Sequence, residues 1–372
     1  MSRTVVIKLG SSVIAADDGT LRTGVLDRVV REVARRREAG DHVVIVSSGA
    51  IACGLPLLGL PSRPSRIEEL QATSAVGQGR LYREWEERFT AAGIVPAQVL
   101  LTAADIAARE HYLNARRTLR RLLDWNVVPV VNENDTTATE EISFGDNDVL
   151  AAQVATLVGA SELVLLTSTD GLFTANPATD PTATLVEEIE HASDLEDLAI
   201  DSNRSAHGSG GMQSKVVSAD IARAAGVHVT ICSGLSETAL AQALDGDKVG
   251  TRFPAGDGQH SSFKLWLRYA KPSRGTVEVD TGAARALLED GVSLLPVGVT
   301  HVNGEFRAGD AIDVVSGGYP VGKGLTQYDA AELRAAAGKR SEELSHLDPV
   351  PPDEVVHRDY FVLTDDGRGL PA

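Results

Sequence analysis

Positive charge is in short supply in this chain: 35 Lys and Arg face 52 Asp and Glu in 372 residues, a formal charge of −17 with histidine neutral. That balance argues against a broad electrostatic grip on nucleic acid or on an anionic membrane. Cysteine is almost absent. Cys53 and Cys232 stand far apart, which excludes a disulfide framework and leaves no pair spaced for zinc, so a buried packing role is the expectation for both. Aromatic residues make up 4%, too few to favour a base-stacking platform. No apolar run approaches the ~18 residues that a membrane helix needs, and Met1-Ser2-Arg3-Thr4 runs straight into VVIKLG. Neither a signal peptide nor an anchor is expected, and the chain reads as cytoplasmic.

What is present is the composition of a globular protein with a large core: 43% hydrophobic and 23% charged residues. From Thr4 to about Ala243, short β-branched runs (VVIKLG, HVVIVSSG, VPAQVLLT, NVVPVVNEND, ELVLLTSTDG, VHVTICSG) alternate with amphipathic stretches such as Leu26–Glu38, Ile67–Ala91, Asn114–Asp124, Asn147–Val158 and Met212–Ala225. Such alternation predicts an α/β fold, an open and mostly parallel sheet flanked by helices. The stretch Asp245–Ser262 is rich in Gly, Asp and Ser and lacks either period, which marks a boundary. The expected domains are 1–250, a linker over 251–262, a small, mostly β, barrel-like module over 263–355, and a last strand and tail over 356–372. Strand-like pieces in the module are KLWLRY, GTVEVD, VSLLPVGVTHV and AIDVVS. The arginines at 116, 117, 120 and 121 read as a solvated helix face.

Four clusters carry chemistry. Lys8-Leu9-Gly10-Ser11-Ser12 delivers a cation at a strand end, just before a turn that exposes backbone N–H groups, which is what an anion site needs. Ser47-Ser48-Gly49-Ala50 ends the second strand in the same way; plain serine capping is the bland alternative for both. The run Asn132–Thr137, with Asp135, follows a buried strand, and Gly145-Asp146-Asn147-Asp148 leads into a helix. Acidic groups there can bind an ammonium, orient lysines or approach a metal ion; capping by Asp146 and a turn at Asp135 are the alternative. Gly208–Lys215 is a glycine loop entering a helix, where the amides of Ser209, Gly210, Gly211, Met212, Gln213 and Ser214 can wrap phosphates and Lys215 can reach a transferring phosphoryl group. Thr167 and Ser168 end another strand before the loop Asp170–Pro177, where a nucleotide base and ribose could sit.

Two motifs are decoys. GGYPVGK over 317–323 has Walker A spacing, but Gly324 stands where Ser or Thr would hold magnesium, and a hairpin turn is expected instead. His357-Arg358-Asp359 spells the start of a kinase catalytic loop, yet no Asn follows at the required offset.

Taken in order and spacing, KLGSS, VIVSSGAIA, VVNENDTT, FGDND, TSTDGL and GSGGMQSK resemble the glutamate 5-kinases of the amino acid kinase family, over nearly the whole chain, with the module after the linker similar to a PUA domain. The resemblance implies ATP-dependent phosphorylation of the L-glutamate γ-carboxylate to glutamyl 5-phosphate, the first step of proline synthesis, with Mg2+, feedback inhibition by L-proline and a homo-oligomer, dimer or tetramer. It implies Lys8, Gly10, Thr167, Ser168 and the 209–215 loop at ATP, Lys8 and Lys215 at the phosphates, and Asp148 organising both lysines. Ser48, Asp135, Asp146 and Asn147 are implied at glutamate, with Mg2+ held mainly by the ATP phosphates. Two positions depart from the pattern: Ser143 stands where Lys or Arg is usual, and Ser168 replaces a frequent Asp. The product would be a labile acyl phosphate, so hand-off to a glutamyl phosphate reductase is implied too.

The residues agree with that chemistry. A carboxylate of pKa about 4.3 is already ionised at pH 7, so no general base is required, and the work is to bring two anions together. Rivals are another amino acid kinase, acting on N-acetylglutamate, aspartate or a nucleoside monophosphate, and an RNA-binding protein. Residues 261–323 hold seven Lys and Arg and seven Asp and Glu, with no basic stripe, so RNA binding by the module is not expected.

Overall fold

The computed structural model of the protein describes residues 2–16, 19–137, 147–177, 179–190, 211–256, 264, 267–268, 271–344 and 352–363. The chain divides into two compact units, Met1–Gln259 and His260–Ala372.

In the first unit seven strands form one sheet: β1 (Thr4–Leu9), β2 (His42–Ser47), β3 (Pro96–Leu101), β4 (Val128–Glu133), β5 (Glu162–Thr167), β6 (His228–Ser233) and β7 (Thr251–Phe253), in the order β3-β4-β2-β1-β5-β6-β7. The first six are parallel and β7 runs antiparallel to β6. The helices are α1 (Ser11–Ile14), α2 (Thr23–Glu38), α3 (Ala50–Leu57), α4 (Ile67–Ala91), α5 (Ala103–Ala107), α6 (Arg109–Asp124), α7 (Asn147–Val158), α8 (Met212–Ala224) and α9 (Ala239–Asp245). β1 and β5 are almost wholly buried runs of Val, Ile and Leu, as a parallel strand covered on both faces must be. Helix α7 is buried around nearly its whole circumference, which its composition, DVLAAQVATLV, allows. Cys53 and Cys232 are both buried, and burial pushes each thiol up to about 12, so neither is a thiolate at neutral pH.

Because the chain builds outward from β1 on the β2 side and then returns to place β5 on the other flank, the strand order reverses at β1. A crevice at the carboxyl ends of β1, β2 and β5 is where an open α/β sheet takes its ligands.

Thr251–Phe253, expected to open the linker, is instead the seventh strand. Thr251 and Phe253 are buried, and the Thr251 hydroxyl donates to the Val186 carbonyl while accepting from the Leu172 N–H. Short length between Gly250 and Pro254 hid a strand that the ladder to β6, backbone bonds of Arg252 with Glu187 and Ile189, and the two Thr251 side-chain bonds hold in place.

The second unit is a five-stranded mixed sheet, with β8 (Ser273–Val279), β9 (Val299–Gly304), β10 (Ala311–Ser316), β11 (Tyr319–Leu325) and β12 (Phe361–Leu363) in the order β12-β11-β10-β8-β9. Its own core includes Val277, Ile312, Val314, Tyr328, Leu333 and Phe361. Gly317 and Gly318 join β10 to β11 with φ of 57° and 83°, two consecutive left-handed residues, so the Walker-like spacing is a hairpin turn. The expected strand KLWLRY is not one: its described residues Lys264, Leu267 and Arg268 are helical. His357 starts a single 3-10 turn before β12.

Candidate active site

β1 is the central strand and carries Lys8 one residue before its carboxyl end; α7 opens with Asn147 and so holds Asp148 in its first turn; α8 holds Lys215 in its first turn. These three converge. Lys8 Nζ lies 2.5 Å from Asp148 Oδ1, and Lys215 Nζ donates to Asp148 Oδ2 at 3.0 Å. The Asp148 side chain is 1% exposed, where an unpaired charge would be prohibitive. Burial alone would push its carboxyl up; the charges and hydrogen bonds of Lys8 and Lys215 outweigh that and hold it below its ordinary value. Two ammonium groups on one carboxylate leave the node with an excess positive charge at the strand ends. Gly10 lies beside it: a β-carbon there would stand in ordinary contact with Lys8 Nζ, at 3.8 Å. Neither turn beside the node uses serine as its cap: α1 and α3 begin after Gly10 and Gly49, with no side-chain capping bond, and Gly49 sits at φ 108°.

A second group surrounds Ser48 and is made of neutral amides and a buried acid. Asn147 Nδ2 donates to Ser48 Oγ (3.1 Å) and to Asn132 Oδ1 (3.0 Å), and Asn132 Nδ2 donates to Gln78 Oε1 (2.7 Å). Asn147 Oδ1 is buried with no hydrogen-bond partner among the described residues. Asp135 accepts a short hydrogen bond from the Ser74 hydroxyl. Burial pushes the Asp135 carboxyl above its ordinary value, against the pull of the Ser74 hydroxyl and the Arg63 charge. Ser74 and Gln78 reach this group because α4 lies against α3 with almost no side chain between them. A β-carbon at Gly77 would meet the Ala50 carbonyl at 1.8 Å, and one at Gly54 the Thr73 carbonyl at 2.1 Å.

On the other flank, Thr167 closes β5, buried, and its carbonyl accepts from the Gly234 N–H at 2.8 Å; Ser168, next to it, is exposed. Thr167 is in register with Ser233, which lines a cleft of about 540 Å³ with Asp170, Ser236, Lys248, Gly250 and Arg252. Gly211, Met212 and Ser214 at the start of α8 are half-buried.

Of the residues singled out in the sequence, Lys8, Asp148 and Lys215 are in direct contact, and Ser48 with Asn147 forms a hydrogen-bonded pair. Asp135 joins the second group through α4, by way of Ser74, and has no described bond to its amides. Asp146, Ser143, Ser209 and Gly210 lie outside the described residues, as does the side chain of Gln213. Sequence reasoning missed Ser74 and Gln78. The available signal was helical spacing: in α4, Ser74, Gly77 and Gln78 fall on one face, a polar pair around a glycine in an otherwise amphipathic helix. Among the described residues no group of three or more His, Cys, Asp or Glu side chains gathers as a metal site.

Fold and node together define a phosphotransferase built on a parallel sheet, with a separate β unit appended. The profile of the amino acid kinase family matches residues 3–233, and that of the PUA domain residues 275–347. A glutamate 5-kinase of Synechococcus sp. (strain JA-3-3Ab) is 44% identical over 365 residues, covering 97% of this chain and 98% of the relative. Glutamate 5-kinases of Ralstonia pickettii (strain 12J), 44% identical, and Moorella thermoacetica, 43% identical, align over 97% of this chain and 97% and 96% of their own. Among solved structures, one described as isopentenyl phosphate kinase superposes with a TM-score of 0.48 at 21% identity, covering 67% of this chain and 99% of that one. The chain belongs to the amino acid kinase family and, within it, to the glutamate 5-kinases.

Proposed function

We propose that the protein transfers the γ-phosphoryl group of ATP to the γ-carboxylate of L-glutamate, giving glutamyl 5-phosphate and ADP. The observation that carries this reading is the buried Lys8–Asp148–Lys215 node. An oxygen of the glutamate carboxylate attacks the γ-phosphorus, the bond to the β-phosphate oxygen breaks, and the electron pair leaves with ADP. No proton moves, so no base is needed. The barrier is electrostatic, because a carboxylate must approach a polyanion. Lys8 and Lys215, fixed by Asp148 before substrate arrives, meet the charge that spreads over the transferring group. Mg2+ enters with ATP as the substrate complex and neutralises part of the phosphate charge. The 209–214 loop amides and Gly10 sit around the phosphates, and Thr167 and Ser168 beside the nucleotide, whose base and ribose fit the cleft near Asp170 and Ser233.

Glutamate then occupies the Ser48, Asp135, Asp146 and Asn147 side. Asp135, whose ionised form the Ser74 hydroxyl and the Arg63 charge favour against burial, attracts the α-ammonium, and the neutral amides fix orientation. L-Proline carries the same α-amino and α-carboxylate groups, which supports feedback inhibition by competition on this side and a place at the first step of proline biosynthesis. The product is an acyl phosphate, reactive towards water, which favours delivery to a glutamyl phosphate reductase. The assembly is read as a homo-oligomer, dimer or tetramer, in the cytoplasm; no helix among the described residues is long and apolar enough to cross a membrane. Domain limits are read as 1–250 for catalysis and 263–355 for the PUA-like module, which serves regulation or assembly and not RNA.

The test is ADP release from MgATP with L-glutamate, N-acetylglutamate and L-aspartate side by side, then with proline added. Turnover with glutamate alone, suppressed by proline, supports the reading. Turnover with another acceptor and none with glutamate overturns it.

A further inference from the structure

We infer that Gln78 is a positioning residue that sets the polarity of the acceptor site: through Asn132 it turns the Asn147 amide so that its oxygen faces an ammonium donor of the substrate. The inference rests on the glutamate reading above. A chain of carboxamides has a sense. Gln78 offers Oε1 to Asn132 Nδ2 (2.7 Å); Asn132 is thereby left with Oδ1 as the atom facing Asn147; and Asn147 must answer with Nδ2 (3.0 Å). That same Nδ2 also reaches Ser48 Oγ, so both of its hydrogens are taken. Oδ1 is what remains. It is buried, has no partner among the described residues, and is a pure acceptor. An orphaned buried acceptor carries a desolvation penalty that a donor on the ligand removes, and a charged donor gives the stronger bond. The α-ammonium of glutamate is such a donor.

If the three amides flipped together, Gln78 would donate to Asn132, Asn132 to Asn147 Oδ1, and the free atom of Asn147 would be an N–H group. The site would then favour an acceptor on the ligand. Ser48 can serve either state, its hydroxyl being both donor and acceptor, so the sense of the chain follows the atom that Gln78, its outer end on α4, presents to Asn132, which is Oε1.

Substitution at Gln78 separates this relay from simple electrostatics. Gln78→Glu keeps an obligate acceptor at the end of the chain, whereas Gln78→Lys supplies only donors and imposes the flipped sense. By charge alone, an anionic substrate would prefer the lysine variant. The relay predicts the reverse. For Gln78→Lys the KM for glutamate rises about tenfold or more while the KM for ATP stays within about twofold. For Gln78→Glu the glutamate KM stays within about threefold of the parent, and Gln78→Met falls between. A second readout is independent of turnover: competition by glutarate, which lacks the amine. Relative to glutamate, glutarate binds worse to the parent and to Gln78→Glu, and this preference collapses in Gln78→Lys. Parent enzyme that turns over glutamate, with Gln78→Lys binding glutamate as well as or better than Gln78→Glu, overturns the relay and leaves the glutamate reading standing. Parent enzyme that ignores glutamate and uses another acceptor overturns both.

Discussion

The two groups of polar side chains near the carboxyl ends of the central strands are built from different materials. On one, Lys8, Asp148 and Lys215 are formal charges locked together out of water; on the other, Ser48, Asn147, Asn132 and Gln78 are neutral groups chained by hydrogen bonds. On the function proposed above, the contrast follows the ligands. A triphosphate and the charge that moves during transfer call for cations, and a carboxylate between them prevents mutual repulsion and fixes their position before binding. A small amino acid must be told from its analogues, and buried hydrogen-bonding groups do this better than charge, because an analogue that leaves one unpaired is penalised. The node is therefore expected to govern rate, and the amide chain to govern which acceptor binds.

Replacing either lysine should break the charged side most severely. Lys8→Ala and Lys215→Ala each lower kcat on the order of a hundredfold to a thousandfold, while glutamate binding changes much less. Unchanged turnover in steady-state kinetics for both variants would contradict the assignment. Next in size is the packing that brings α4 to the neutral side. Gly77→Ala drives a methyl group into the Ala50 carbonyl and should cost about 2 to 3 kcal/mol. Gly79→Ala in the same helix meets nothing within 4 Å and should stabilise by about 0.5 to 1 kcal/mol. Thermal denaturation compares the pair, and equal midpoints would refute the close approach of α3 and α4.

Smaller, and confined to the neutral side, is Asn147→Ala. It removes the acceptor and both donated bonds, so the glutamate KM rises about tenfold with kcat within a few-fold of the parent; a fall in kcat at constant KM would place Asn147 with the node instead.

The smallest effect separates the two sides by pH. Asp148 is held below the ordinary carboxylate range, so its contribution to stability is present above the unfolded value of about 4 and is lost only as pH falls through the lower folded value. Asp135 is raised by burial, so on acidification it protonates first, and the attraction for an ammonium goes with it. Ser74→Ala removes a bond that pulls the Asp135 carboxyl down and should move the acidic limb of kcat/KM for glutamate to higher pH, leaving the dependence on ATP in place. An unmoved limb would detach Asp135 from the acceptor.

Much of the parallel sheet could be read from sequence, because a strand buried on both faces must be an unbroken apolar run, as VVIKL and LVLLT are. Lys8 and Lys215 were legible as cations at a strand end and in the first turn of a helix, whereas the tie of Asp148 to both came from the family resemblance, and the structure brings the three side chains into contact. Ser74 and Gln78 were missed: helical spacing puts them with Gly77 on one face of α4, but what makes them part of the site is the crossing of α3 and α4 at Gly54 and Gly77, which that spacing does not locate. Strand β7 was missed because three residues between a glycine and a proline carry no period, and the KLWLRY segment was misread because apolar alternation over six residues suits a strand or a helical turn equally well.

The most direct test of carboxyl phosphorylation follows an atom. L-Glutamate carrying heavy oxygen in its γ-carboxylate is incubated with MgATP and hydroxylamine, and the released inorganic phosphate is examined by mass spectrometry. Attack of the carboxylate on the γ-phosphorus predicts γ-glutamyl hydroxamate together with phosphate that has kept a labelled oxygen from the substrate. Unlabelled phosphate released without hydroxamate would contradict an acyl phosphate product and, with it, the role given to the Lys8–Asp148–Lys215 node.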